Sequence, residues 1–218
     1  MKVMAINGSP RKTWNTATLL TKALEGAASQ GAETELVHLY DLDYKGCHSC
    51  FACKLRGGSS YGRCAIDDDL KPLLQKIETV DALILGSPIY FGAVSAQMRA
   101  FLERLMFQYL VYDEKRTSVR PKDLPTAIVY TMNITQEGAQ ARNYPLTLGA
   151  MEDAIRRCLS NSEVRTLYAT DTCQFEDYAK YEVTAFDAAH KQRRRTEQLP
   201  LDGQRAYEMG AQLAKTAR

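Results

Sequence analysis

The chain has 218 residues, with 28 Lys+Arg against 26 Asp+Glu and a formal net charge of +2. That near-neutral balance gives no electrostatic case for nucleic acid or an anionic membrane surface as partner. Apolar residues at 45% and charged residues at 25% are ordinary globular composition, which excludes wholesale disorder and collagen-like repeats. No run of 18 apolar residues occurs, and the apolar stretch at residues 1–6 is too short for a signal-peptide core. The expectation is a single domain over 1–218, in the cytoplasm, with its six cysteines mostly reduced.

In chain order, residues 2–6 read as a short buried strand. Residues 16–29 carry Ala17, Leu20, Leu24 and Ala28 at helical spacing, and 33–39 read as a second strand. Residues 41–66 form a long loop with glycines and four cysteines. A helix is predicted over 69–79, with Leu70, Leu73, Leu74 and Ile77 on one face, and a third strand over 81–86. Met98, Phe101, Leu102, Leu105 and Met106 make 95–110 an amphipathic helix. A charged stretch, 113–123, precedes a fourth strand around 127–130. A helix over 146–160 and a fifth strand over 163–169 follow. The tail from 175 is polar, with a helix expected over 203–217. This alternation predicts a doubly wound, five-stranded parallel sheet with a cysteine-rich insertion and a C-terminal helical extension. Ligands bind such sheets at the strand C-terminal edge, where strand order reverses. That directs attention to loops 7–15, 86–94 and 131–141.

The first of these, Asn7-Gly8-Ser9-Pro10-Arg11-Lys12-Thr13-Trp14-Asn15-Thr16, contains neither a dinucleotide fingerprint nor a P-loop. It does place hydroxyls, an amide and a guanidinium ahead of a helix N-terminus, where free N–H groups and the helix dipole favour an anion. Ser9, Arg11, Asn15, Thr16 and Thr18 suit a phosphate monoester; the alternative is that Asn15 or Thr16 only caps the helix. In Gly86-Ser87-Pro88-Ile89-Tyr90-Phe91-Gly92, Pro88 and Gly92 restrict and release the backbone. The loop could hold a flat heteroaromatic ring, or be a plain turn with its aromatics in the core.

Taken together, Gly8-Ser9-Pro10-Arg11-Lys12 with Asn15-Thr16, and Gly86 to Gly92 leading into Ser95-Ala96-Gln97-Met98-Arg99-Ala100-Phe101, resemble the flavodoxin-fold NAD(P)H-dependent FMN reductases. The nearest branch is the iron–sulfur flavoproteins. The resemblance covers roughly the first 135 residues, and less specifically Asp202 to Leu213. The chain departs from that branch at Thr13-Trp14, where a small Asn-Gly pair is usual; Trp14 is expected to cover the phosphate end or reach a partner subunit. The resemblance implies that Ser9, Arg11, Asn15, Thr16 and Ala17 bind the FMN phosphate. It implies that Pro88, Ile89, Tyr90, Phe91 and Gly92 line the ribityl chain and ring, and that Thr131, Met132 and Asn133 approach the other ring edge.

Cys47, Cys50 and Cys53 lie within seven residues, and Cys64 follows after a glycine-rich insert. Three such thiolates can reach three corners of a cubane and a fourth can close it. The last gap is longer than in the motif this resembles. A [4Fe–4S] cluster is preferred over free thiols or a redox disulfide, and zinc comes last because two CxxC hairpins are absent. The loop after the second strand is expected at the flavin edge, so that a cluster could serve its own FMN or a neighbouring subunit's.

Asp67-Asp68-Asp69 read as helix capping, Cys158 as core, and Lys191-Gln192-Arg193-Arg194-Arg195 as a solvated helix face. Cys173 falls in a loop with no reading, and His38, His48 and His190 form no ligand-spaced pair.

The function expected is FMN-dependent transfer of hydride from NAD(P)H, with electrons passed to a small acceptor (quinone, flavin), a protein, or a cluster. No side chain is singled out as catalytic. The alternatives are a non-catalytic flavodoxin-type or iron–sulfur flavoprotein electron carrier, and a metal-binding regulatory module. A homodimer or homotetramer is expected from the family resemblance and from apolar residues Phe107, Leu110 and Val111 beyond one helix face.

Overall fold

A computed structural model of the chain describes residues 1–115, 117–160 and 164–217. Five parallel strands pair in the order β2 (Glu33–His38), β1 (Lys2–Asn7), β3 (Ala82–Tyr90), β5 (Thr126–Thr131), β6 (Arg165–Ala169). A two-residue strand, β4 (Ala93–Val94), pairs antiparallel with the end of β3. This is the flavodoxin-like strand order, with the reversal point between β1 and β3. The five expected strands are present. Glu163, at the expected start of the last, lies outside the described residues.

Both faces of the central strands β1, β3 and β5 are buried, and residue alternation along them assigns the faces. Val3, Ala5, Ala82, Ile84, Ala127 and Val129 face α1 (Asn15–Ala28) and α7 (Leu199–Thr216). Met4, Ile6, Leu83, Leu85, Ile128 and Tyr130 belong to the opposite core with α2 (Leu70–Ile77), α3 (Ala96–Phe107), α4 (Gln136–Ala141) and α5 (Tyr144–Leu159). The first face is built largely of alanine, and its helices come correspondingly close. A Cβ on Gly26 would lie 1.9 Å from the Tyr207 carbonyl oxygen, and one on Gly210 would lie 1.8 Å from that of Ala23. Only glycine at both positions lets α1 and α7 meet backbone to backbone.

Three expectations are corrected. The segment 86–94 is not a free loop: β3 continues to Tyr90 and turns back into β4 through Phe91-Gly92. Both turn residues have positive φ, 51° and 80°, which is the two-residue hairpin geometry that matches strand twist. The tail is no appendage. After α6 (Ala188–Arg193) and a π-helical segment, Arg194–Gln198, α7 closes one face of the sheet. The apolar surplus at the end of α3 is met in part by the chain itself. Phe107 packs edge-on against Phe51 at 6.1 Å, and Leu110 packs on the core.

Candidate functional site

At the reversal point, the ends of β1, β3 and β5 surround a cleft of about 490 Å³. Ser9, Arg11, Asn15, Thr16, Pro88, Ile89, Tyr90, Phe91, Thr131, Met132 and Asn133 all line it. Of the expected set, Ala17 is buried behind the helix start and Gly92 sits in the hairpin turn, so neither lines the cleft.

The phosphate-type loop is held from several directions. Asn7 Oδ1 accepts from the Ser9 N–H at 3.0 Å, and Ser9 Oγ accepts from the Arg11 N–H at 3.1 Å. The N-terminus of α1 has no side-chain cap and no acidic residue in its first turn. Asn15 spends its amide on the Cys173 carbonyl at 2.9 Å, and the Thr16 and Thr131 hydroxyls share a hydrogen bond at 2.8 Å. The capping alternative is therefore not realised, and the first-turn N–H groups stay open to an anion. Ser95, the N-cap of α3, donates to the Gly8 carbonyl, while its own N–H donates to Ser87 Oγ at 2.9 Å, stitching the first and third loops together.

The sequence missed one wall. Thr172, Gln174 and Phe175, after β6, also line the cleft. Trp14 also lines the cleft, beside Ser9, Arg11, Asn15 and Thr16. Its Nε1 donates to the Cys173 carbonyl at 3.1 Å, and guanidiniums of Arg11 and Arg195 lie 3.7 and 3.8 Å from its ring centre. Two guanidiniums so close to one ring fit only on opposite faces. Arg11 also donates to the Gln174 carbonyl at 2.5 Å.

The 191–195 run is not a solvated face. Lys191 is 2% exposed and donates to Asp171 Oδ1 at 2.5 Å and to the Asn133 carbonyl at 2.7 Å. His190 and Arg194 meet the other Asp171 oxygen. Burial would push the Asp171 carboxyl up, but the hydrogen bonds from Lys191 and His190 overcome it and hold it below its ordinary value. Asn133 Oδ1 is buried and has no hydrogen-bond partner among the described residues. An unpaired buried acceptor beside a half-polar cleft suits a planar ligand with its own N–H groups.

Cys47, Cys50, Cys53 and Cys64 line one small cavity of about 10 Å³ with Arg104, Phe107 and Gln108. All four are free thiols. Among the described residues, no three Cys, His, Asp or Glu side chains could hold a metal ion. A single ion such as zinc needs its ligands to converge on one point, whereas the thiolates of a cubane each bind a different iron. The cationic surroundings suit a thiolate-bound anionic group. Arg104 Nε donates to Cys64 Sγ at 3.3 Å, and Lys54 caps the last carbonyls of α3, including that of Gln108 at 3.2 Å. Burial pushes the Cys53 thiol up and the Lys54 amine down.

The position of this cavity corrects the expectation of a shared edge. The loop leaves β2 at the cleft edge but runs down α3. Tyr44 donates to the Gln97 carbonyl, the Lys45 carbonyl accepts from Arg104, and Cys64 N–H donates to Gln108 Oε1. The cysteines thus gather at the far end of a helix about 18 Å long, whose N-cap Ser95 stands at the cleft. Asp68, read as a cap, accepts from the Leu70 N–H at 3.2 Å and also pairs with the buried Arg104.

The strand order and the cleft at its reversal point define a flavodoxin-like α/β protein with a mononucleotide-type site. Residues 1–144 match the NADPH-dependent FMN reductase family, and the chain belongs to it. It is 43% identical over 104 residues to an iron–sulfur flavoprotein of Methanocaldococcus jannaschii, covering 48% of this chain and 51% of that one. It is 35% identical over 104 residues to an iron–sulfur flavoprotein of Methanosarcina thermophila, covering 48% and 52%. The chain spans about half the length of the curated relatives it matches. An NAD(P)H:quinone oxidoreductase from Methanothermobacter marburgensis shares the fold over 98% of both chains, with TM-score 0.70 and 16% identity. An FMN-dependent NADH-azoreductase from Bacillus anthracis, solved with FMN, does so over 98% of this chain and 100% of its own, with TM-score 0.66 and 11% identity. Among the described residues, no helix is long and apolar enough to cross a membrane.

Proposed function

We propose that this flavoprotein takes hydride from NAD(P)H through FMN held in the cleft. The electrons pass to a small acceptor such as a quinone or free flavin, or singly through a [4Fe–4S] cluster on Cys47, Cys50, Cys53 and Cys64. The observation that carries the reading is the cleft itself, because three loops distant in sequence converge there with complementary chemistry. Bound FMN supplies the redox chemistry. Ser9, Arg11 and the open N–H groups of Asn15, Thr16 and Ala17 hold the phosphate. Pro88, Ile89 and Tyr90 form one wall for the ring, and Asn133 Oδ1 offers an acceptor to a ring N–H. Thr172, Gln174 and Phe175 close the opposite side against water. Four thiols around one cationic cavity, with the names of the relatives, support the cluster.

The deciding experiment is anaerobic mixing of the flavin-loaded protein with NADH or NADPH. Bleaching of the flavin bands by either nucleotide alone is expected; bleaching only after a separate reductase is added would make the protein a carrier instead.

A homodimer or homotetramer is part of the same proposal. Phe91, which lines the cleft, is fully exposed, and Leu146 is 75% exposed at the start of α5, which meets the hairpin turn where Thr147 donates to the Gly92 carbonyl; together they offer apolar surface that a second copy would cover. Light scattering that returned a single 24.4 kDa species at micromolar concentration would overturn it.

A further inference from the structure

Gln108 is 2% exposed, and its amide lines the cysteine cavity. One end of that amide is used: Oε1 accepts from the Cys64 N–H at 2.9 Å. The other end, Nε2, is buried and has no acceptor among the described residues. A buried amide donor left unpaired is destabilising, and a polar atom in that position signals a missing acceptor. The neighbouring donor, Arg104 Nε, already points at Cys64 Sγ. Arg104 is 1% exposed and fixed on its other side by Asp68 and by the Lys45 and Ile66 carbonyls, so its direction is set by the fold. Arg104 and Gln108, at i and i+4 at the end of α3, thus bring two donors to the cavity that the four sulfurs line.

We propose that Gln108 Nε2 and Arg104 Nε donate hydrogen bonds to the sulfurs of a cluster bound by the four cysteines, and so act as positioning residues that raise its reduction potential. Sulfur accepts more strongly as the cluster gains negative charge. The gain occurs when one electron from a donor such as dithionite takes [4Fe–4S]2+ to [4Fe–4S]1+, with no bond broken and no proton required. Donors that hold the reduced form more tightly than the oxidised form favour reduction. The inference rests on the cluster reading above.

The test is a dithionite redox titration of anaerobically reconstituted protein, followed by the electron paramagnetic resonance signal of the reduced cluster. Gln108→Leu is expected to lower the midpoint potential by a tenfold or greater shift in the reduction equilibrium, about 59 mV for one electron. Gln108→Glu keeps an acceptor for the Cys64 N–H and loses the donor, so it should lower the potential at least as far. Recovery of the wild-type potential by Gln108→Glu would reduce the residue to a holder of Cys64 and overturn the proposal. An unchanged potential in both variants, with the cluster present, overturns it while leaving the cluster reading intact. Absence of iron and acid-labile sulfide from wild-type protein overturns both. Retained FMN in each preparation reports that the variant is folded.

Discussion

Arg11 shows how one side chain can serve both ligand and fold. It lines the cleft, donates to the Gln174 carbonyl and lies on Trp14. Arg11→Ala is expected to weaken FMN binding by about ten- to a hundredfold, because a charge-assisted bond contributes about 1.5–3 kcal/mol. Thr16→Ala removes a hydroxyl already paired with Thr131 and keeps the backbone N–H, so it should cost no more than about fivefold, the worth of one neutral hydrogen bond of about 1 kcal/mol. The chain's single tryptophan, Trp14, lines the cleft, so its fluorescence reports the titration. An Arg11→Ala affinity equal to wild type would remove Arg11 from the site. Ser9, Asn15 and Thr16 were legible because their types and their place before a helix state their chemistry. Thr172, Gln174 and Phe175 were not, because nothing local in that stretch distinguishes a cleft wall from any polar loop. Gln108 and Arg104 were hidden for the opposite reason: they sit inside a strong apolar helical pattern that drew attention to its other positions.

Among the elements, α6 is docked by a single carboxylate. Asp171 gathers Lys191, His190 and Arg194, and its pKa is lowered in the folded chain. The stability it contributes is therefore complete above the ordinary carboxylate value of about 3.9 and is lost as pH falls below it, through the lower folded value. Asp171→Asn should flatten the fall in urea midpoint between about pH 5 and pH 3; identical pH profiles for the two proteins would show that the carboxylate contributes nothing. On the opposite flank of α1, Gly26→Ala should lower stability by about 3 kcal/mol or more, at the upper end of overpacking costs, since its Cβ meets the Tyr207 backbone. The urea midpoint reads this directly. Continuous apolar runs revealed β1, β3 and β5, because both their faces are buried; the edge strands β2 and β6 are partly exposed and mix polar with apolar residues. Strand periodicity did not reveal β4, which is set by the positive φ of Phe91 and Gly92. Phenylalanine in that conformation has no sequence signature.

For the whole molecule, α3 separates the cleft from the cysteine cavity. Cys50→Ser is accordingly expected to abolish bound iron and sulfide while FMN affinity stays within about twofold of wild type, since no FMN-loop contact is removed. Iron and sulfide assays beside a flavin titration check both halves. A joint loss of FMN would mean that the cysteine loop supports the cleft. The sequence alone suggested a shared edge, because the loop does begin there; its descent along α3 depends on Tyr44, Arg104 and Lys54, whose contacts are all long-range.

The paired glycines of α1 and α7 have a consequence for synthesis. Residue 26 is made early and residue 210 late, yet each occupies the space a side chain would need on the other helix. Until α7 emerges from the ribosome, α1 covers this alanine-rich face alone, and the part that α7 closes, over β5 and β6, stays open. Such high-contact-order closure is slow and leaves the nascent chain exposed to aggregation, so a chaperone that shields this face would find its substrate in every partly translated copy.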